Sequence, residues 1–103
     1  MKLIKKYVNI IDDELSSATE YAENYIEAKA NGKDRGDDSE ASMWKRMAEQ
    51  ELQHAINIHS AAVTEIEKIN AVFTAPAEMY EKWEMSHNDY IKRTAWIKQM
   101  LSM

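Results

Sequence analysis

The sequence predicts an all-α protein built from three long antiparallel helices. The 103-residue chain has only two glycines and one proline, so residues that break helices are confined to two places. Elsewhere, apolar residues recur at spacings of three and four, the period of an amphipathic helix. A chain of this length is expected to form one domain with a modest core.

Helix A is expected over about residues 3–30, because its apolar stripe keeps helical spacing throughout. One carboxylate, Glu14, interrupts this stripe. The polar segment 31–38 contains both glycines and predicts a turn, with Ser39 as the N-cap of the next helix. The stripe consists of Ile4, Tyr7, Ile11, Glu14, Ala18, Tyr21, Tyr25 and Ala28.

Helix B is expected over about residues 39–70, and its predicted inward stripe also carries ionisable groups, Glu51 and His54. This stripe consists of Trp44, Met47, Glu51, His54, Ile58 and Ala61. A buried carboxylate without a partner costs several kcal/mol, so such a residue needs a partner or a metal ion. Charged groups on two inward stripes therefore indicate a site.

Helix C is expected over about residues 76–101. Segment 73–76 predicts the break before it, with Pro76 in the first helical turn. Its apolar stripe is aromatic at the start and aliphatic at the end, and consists of Tyr80, Trp83, His87, Tyr90, Thr94, Ile97 and Leu101. Three long helices leave apolar surface for a partner to cover, so we expect a homo-oligomer, at least a dimer.

Charge and composition exclude several classes of protein. The net charge is −5 without a basic stripe, which argues against nucleic-acid binding. No apolar run approaches the roughly 20 residues that span a bilayer, and no signal peptide opens the chain, so we expect a soluble cytoplasmic protein. Cysteine is absent, so any metal must be held by carboxylate and imidazole groups.

A height argument brings Glu14, Glu51 and His54 together. In two antiparallel helices joined by a turn near residue 34, residues at one height have numbers that add to about 68. Glu14 paired with Glu51 or with His54 satisfies this relation within about one helical turn. The three residues are therefore predicted to share one layer and to be metal ligands.

A second Glu-x-x-His pattern, Glu84 to His87, lies in helix C and is predicted to sit outside that layer. The same argument places His87 opposite His59, and Glu84 too far from Glu51 to share a metal unless helix C slides. We expect a separate polar layer of His59 and His87, with Tyr7 as a candidate third member.

Each candidate residue has a plainer interpretation. Glu14 could be a solvated residue at the edge of helix A, and Glu51 with His54 an exposed pair one turn apart, since Glu-x-x-His is a weak pattern alone. His59 and His87 could hydrogen-bond in a core or bind a metal. Tyr21 could support the ligands through a hydrogen bond or belong to the core.

Two segments resemble the ferritin-like di-iron carboxylate superfamily. Residues 13–21, in which Glu14 precedes Tyr21 by seven positions, resemble the first helix of bacterioferritins. Residues 49–55, with Glu51 and His54 in a Glu-x-x-His-Ala sequence, resemble the second helix of bacterioferritins and rubrerythrins. The chain supplies half of the family's ligand set, which is similar to encapsulated ferritins and to small ferritin-like proteins of tailed phages.

This resemblance implies a ferritin-like bundle completed by dimerisation, with two iron ions at each shared site. Glu51 would bridge the ions, Glu14 would bind terminally, and His54 would bind one ion in each half. The implied chemistry is oxidation of Fe(II) by a small oxidant, oxygen or peroxide. Two alternatives remain at this point: a zinc or manganese site without redox chemistry, and a non-catalytic helical interaction module whose buried polar layer fixes register.

Overall fold

A computed structural model of the chain contains three α-helices, and the residues it describes include no strand. The backbone is described for residues 2–35, 39–72 and 77–103, and the side chains for residues 5–32, 39–68 and 81–103. Helix α1 is Lys2–Arg35, α2 is Ser39–Val72 and α3 is Ala77–Leu101. The molecule measures 59 × 18 × 17 Å, which is the shape of a narrow rod of helices.

Helix α1 continues beyond its predicted end near residue 30. The segment expected to be a turn is helical as far as Arg35, and Gly32 is buried within the helix. A single glycine costs a helix interior only about 1 kcal/mol, which packing can offset. The rest of that predicted turn, residues 36–38, and the predicted break at 73–76 lie outside the described residues.

The core is centred on the contact between α1 and α2, which pack together more extensively than any other pair of helices. Alanines spaced seven residues apart form the buried stripe of α2, and each is at most 4% exposed: Ala41, Ala48, Ala55 and Ala62. They face a stripe of α1 made of Ile11, Leu15, Ala18, Ala22, Tyr25 and Ala28. Small side chains let the two helix backbones approach closely.

The inward stripe predicted for α2 is wrong by about one position around the helix. Trp44, Met47, Glu51 and Ile58 are half-buried at the edge of the α1–α2 contact, while His54 and Ala61 are exposed. Alanines predominate where α2 meets α1, and Leu52 is the larger side chain of α2 buried among them. The half-buried residues of the predicted stripe flank this contact instead of filling it.

Helix α3 packs on α1 and touches α2 only slightly. The described part of its predicted stripe does face the bundle: Thr94, Ile97 and Leu101 are buried, and Trp83, His87 and Tyr90 are half-buried. All buried residues among positions 81–101 belong to the second half of the helix, 94–101. In the part of the chain that is described, no helix has the length and apolar character needed to cross a membrane.

Candidate metal centre

Helix α1 presents two opposite sides to its surroundings. On one side, the Arg93 guanidinium of α3 bonds to the Asp12 carboxylate (Nη1–Oδ1, 2.5 Å) and donates to the Ser16 hydroxyl (2.9 Å). Residues two positions apart on an α-helix lie about 160° apart around its axis. Glu14 is two positions from both Asp12 and Ser16, so it points away from α3.

The charges of Glu51 and His54, the two residues of α2 with which the sequence groups Glu14, act on its carboxyl group. It is half-buried, and its carboxylate oxygen Oε2 is buried without a hydrogen-bond partner among the described residues. Burial raises the pKa of Glu14 above its ordinary value of 4.5, and the neighbouring negative charge of Glu51 raises the pKa further. The charge of His54 acts in the opposite direction and lowers it.

The other two predicted ligands are less enclosed than Glu14. Glu51 is half-buried and His54 is exposed on the same side of α2. Within the described part of one chain, no group of three or more acidic and histidine side chains is placed to hold a metal ion. In one chain, Glu14, Glu51 and His54 therefore do not form a closed site, and one buried carboxylate oxygen of Glu14 has no hydrogen-bond partner among the described residues.

Tyr21 and Trp44 form an aromatic pair on this same side of the α1–α2 contact. Their rings stack with centroids 5.8 Å apart and planes inclined by 28°. Each lies seven residues from a predicted ligand, Glu14 or Glu51, which is about two helical turns along the axis. Tyr21 therefore packs on an aromatic ring, and the bonds described here do not include one from Tyr21 to Glu14.

The groove between α1 and α3 lies on the other side of α1 and does not include the predicted ligands. It has a volume of about 460 Å³ and is lined by Val8, Asn9, Ile11, Asp12, Leu15, Lys82, Met85, Ser86, Asp89 and Arg93. Its charged rim contains two acidic and two basic side chains. Both acidic ones, Asp12 and Asp89, form ion pairs with Arg93. The candidate centre is thus separate from this groove.

His59 and His87 meet across α2 and α3, outside the layer of Glu14. His59 Nε2 lies 2.9 Å from His87 Nδ1, a hydrogen-bond distance. The His59 ring also stacks on Tyr90 at 3.9 Å and on Trp83 at 5.5 Å. Burial, and then the charge of His87, lowers the pKa of His59. Glu84 is exposed, and Tyr7 is half-buried; the described contacts of the histidine pair include neither.

The contacts of Arg93 could not be read from the sequence. The four-residue spacing of Asp89 and Arg93 favours an ion pair along α3. The structure contains this pair, with 3.3 Å between Arg93 Nη1 and Asp89 Oδ2. The bond to Asp12 joins residues 81 positions apart, and an arginine beside an apolar stripe carries no signal for such a partner.

Comparison with known proteins identifies no relative. No family model matches the sequence, no curated protein matches it, and no solved structure matches the fold.

Proposed function

We propose that the protein is a ferritin-like di-metal protein whose site is shared between two copies of the chain. Each chain would supply Glu14, Glu51 and His54, so that a two-fold dimer gathers four carboxylates and two imidazoles. The observation that carries this proposal is the buried, unsatisfied Oε2 of Glu14, which lies within the electrostatic reach of a second carboxylate and an imidazole. A cation would satisfy that oxygen and relieve the repulsion between the two carboxylates.

The residues fit a divalent metal by their chemistry. Carboxylate and imidazole ligands suit Fe(II), and they also accept manganese and zinc. A carboxylate must lose its proton before it binds a metal, and the raised pKa of Glu14 means that a metal would compete there with a proton held more tightly than on an ordinary carboxylate. Bound iron would supply redox chemistry toward oxygen or peroxide, and Glu14 and Glu51 would hold it through oxygen atoms and His54 through a nitrogen.

The orientation of the helices supports a bundle in which neighbours in sequence are antiparallel. Along α1 and α2, residue numbers change in opposite directions, since Glu14 lies near Glu51 and His54 while Tyr21 stacks on Trp44. Along α1 and α3 they rise together, because Asp12 bonds to Arg93 and the Lys29 ammonium donates to the carbonyl of Met103. An up–down–up course of three helices has this pattern.

The uncovered face of the α1–α2 pair supports dimerisation at the site. Helix α3 contacts α1 on the side of Asp12 and contacts α2 through His59. His54 is five positions from His59, about 140° around the axis of α2. The candidate ligands therefore lie on the side that α3 leaves open, among half-buried apolar residues: Ile10, Tyr21, Trp44, Met47 and Ile58. A second α1–α2 pair placed there would bury these residues and complete the ligand set.

The decisive experiment is metal analysis of the protein produced with iron supplied. Two irons per dimer are expected for the native chain, and Glu51→Gln should lose them. Glu49→Gln is the matched control, because Glu49 is exposed and lies two positions away on the same helix. Retention of iron in Glu51→Gln, or loss in both variants, would overturn the site. Oxygen consumption on adding Fe(II) separates a redox iron site from a zinc or manganese site.

A non-catalytic helical interaction module is the second candidate, and the His59–His87 contact favours it. A polar pair that links two helices fixes their relative height, whether or not any metal is bound. This function requires a helical assembly whose iron content is negligible and unaffected by Glu51→Gln. The same metal analysis therefore decides between the two candidates.

A further inference from the structure

The first half of α3 is held to α2 mainly through one histidine contact. Among residues 81–93 none is buried, and the half-buried ones are Trp83, Ser86, His87, Tyr90 and Arg93. Arg93 anchors this segment to α1. Toward α2, where α3 has few contacts, the described anchor is the cluster around His59, whose ring packs against Trp83, His87 and Tyr90.

The two imidazoles meet edge to edge, with nitrogen atoms pointing at each other. The ring centroids are 5.0 Å apart and the ring planes differ by 21°, while His59 Nε2 and His87 Nδ1 are 2.9 Å apart. A face-to-face stack would bring the centroids closer than this without aligning two nitrogens. One nitrogen must donate a proton and the other accept it, so the N–H bond of one ring points at the lone pair of the other.

We propose that His59 and His87 form a second metal site, in which a Zn²⁺, Ni²⁺ or Cu²⁺ ion replaces the hydrogen-bonded proton and clamps α3 to α2. Metal–imidazole bonds of about 2.0–2.1 Å in tetrahedral geometry separate the two nitrogens by about 3.3–3.4 Å. To admit the ion, the pair at 2.9 Å must open by roughly 0.4–0.5 Å and the two rings must turn so that both lone pairs point at the metal. The ring that donates in the hydrogen bond takes up a proton on its other nitrogen from solvent as it gives up this one, so both rings stay neutral and each facing nitrogen donates its lone pair to the metal.

Water would complete the coordination of this ion. In the described part of the chain, no third acidic or histidine side chain joins the pair to form a metal-binding group, and Glu84, one turn before His87, is exposed. Burial first, and the charge of His87 second, lower the pKa of His59, which favours the neutral ring that a metal requires at this residue. Tyr90, the other titratable group against His59, has a raised pKa because of burial and stays uncharged.

This site is distinct from the Glu14 centre in position and in preference. His59 lies about 140° around α2 from His54 and about 7–8 Å further along it. Two imidazoles without a carboxylate favour copper, nickel and zinc, whereas a carboxylate-rich site suits iron and manganese. The two sites would therefore load with different metals, and loss of one would leave the other intact.

Copper binding to a chain that lacks the first centre tests the proposal. The background is the full-length Glu51→Ala, His54→Ala variant, stripped of metal and titrated with Cu²⁺. We expect one Cu²⁺ per chain, a higher Tm on binding, and an electron paramagnetic resonance spectrum with coupling to two imidazole nitrogens. His87→Gln in this background keeps a hydrogen-bonding side chain and should bind Cu²⁺ at least tenfold more weakly. Glu84→Gln is the matched control and should bind within twofold of the background.

If His87→Gln does not fold, the electron paramagnetic resonance spectrum of the copper-loaded Glu51→Ala, His54→Ala variant tests the proposal by itself. Coupling to one nitrogen or to none would overturn the proposal, as would equal copper affinity with His87→Gln. Equal losses in Glu84→Gln and His87→Gln would also overturn it, because the site would then be a carboxylate–histidine pair on α3 alone. Iron content of the native chain is measured separately, so failure here leaves the Glu14 centre unaffected.

Discussion

Asp12 and Glu14 lie two positions apart on α1 and point to opposite sides of it. Asp12 bonds to Arg93 and so belongs to the contact with α3, while the charges of Glu51 and His54 of α2 act on Glu14. The α1–α2 pair therefore has one side that contacts α3 and another on which a buried carboxylate oxygen has no hydrogen-bond partner among the described residues. On the proposed function, a second chain packed on that other side would supply the further ligands.

Removing a ligand from α2 should abolish iron binding without unfolding the protein. Glu51→Ala and His54→Ala take away a half-buried and an exposed side chain, so helical content by circular dichroism should stay unchanged. Iron measured by elemental analysis should fall below one tenth of the native value. Glu49→Ala serves as the control and should keep full iron. An iron content equal to that of the native protein in both ligand variants would contradict the proposed metal site.

His87→Ala should change stability and leave the iron content nearly intact. His59 loses its 2.9 Å hydrogen-bond partner, and the free energy of unfolding should fall by about 1–3 kcal/mol. Urea denaturation measures this loss, with Asn88→Ala, an exposed neighbour, as the control. Loss of iron with unchanged stability would instead make His87 a ligand of the first centre.

The pKa of Glu14 predicts a pH dependence of stability for the metal-free protein. The folded state holds the Glu14 proton more tightly than the unfolded state, whose pKa is near 4.5. Stability should therefore fall as the pH rises from about that value through the folded pKa, and Glu14 should be unfavourable at neutral pH.

Glu14→Gln removes this titration, so it should be more stable than the native chain at pH 7 and equal to it near pH 4. Thermal unfolding of both proteins in the presence of a chelator measures the difference at each pH. Glu20→Gln, an exposed carboxylate of the same helix, should show no such difference. A Glu14→Gln variant that is less stable at neutral pH than at acid pH, relative to the native chain, would contradict the assigned cause.

Iron binding should increase the fraction of the protein that is dimeric. On the proposed function, one chain would supply three ligands, whereas a di-iron pair needs about six, so the ions would bind only where two chains meet. A ligand that binds only the dimer stabilises it by mass action. Light scattering after size exclusion, under anaerobic conditions, should show a larger dimer fraction with Fe(II) than without it. A compact monomer that retains two irons would rule out the shared site.

The sequence predicts the number of helices and their order because apolar residues recur at helical spacing along each of them. It also predicts which side of α3 faces the bundle, from Trp83 to Leu101. The buried stripe of α2 escapes prediction because alanines at 41, 48, 55 and 62 are less hydrophobic than Trp44 and Ile58, which lie at the edge. Hydropathy favours the larger residues, whereas close helix packing selects the smallest ones.

The candidate ligands themselves are predictable only as a group at one height. Glu14 is recognisable because it interrupts an apolar stripe, and the electrostatic effect of Glu51 and His54 on it fits the height argument. Their degree of exposure is not predictable, since it depends on the rotation of α2 about its axis. Whether these residues bind metal stays a prediction for the experiments above.

The uneven burial of α3 has a consequence for the order in which the molecule opens. Residues 94–101 hold every buried side chain of its described part, and residues 81–93 rest on the His59 cluster and on Arg93. Segments with few buried apolar contacts open with free energies well below that of global unfolding. Backbone amides of residues 81–93 should thus exchange with deuterium earlier than those of 94–101, so that α3 behaves as two cooperative units joined in one continuous helix.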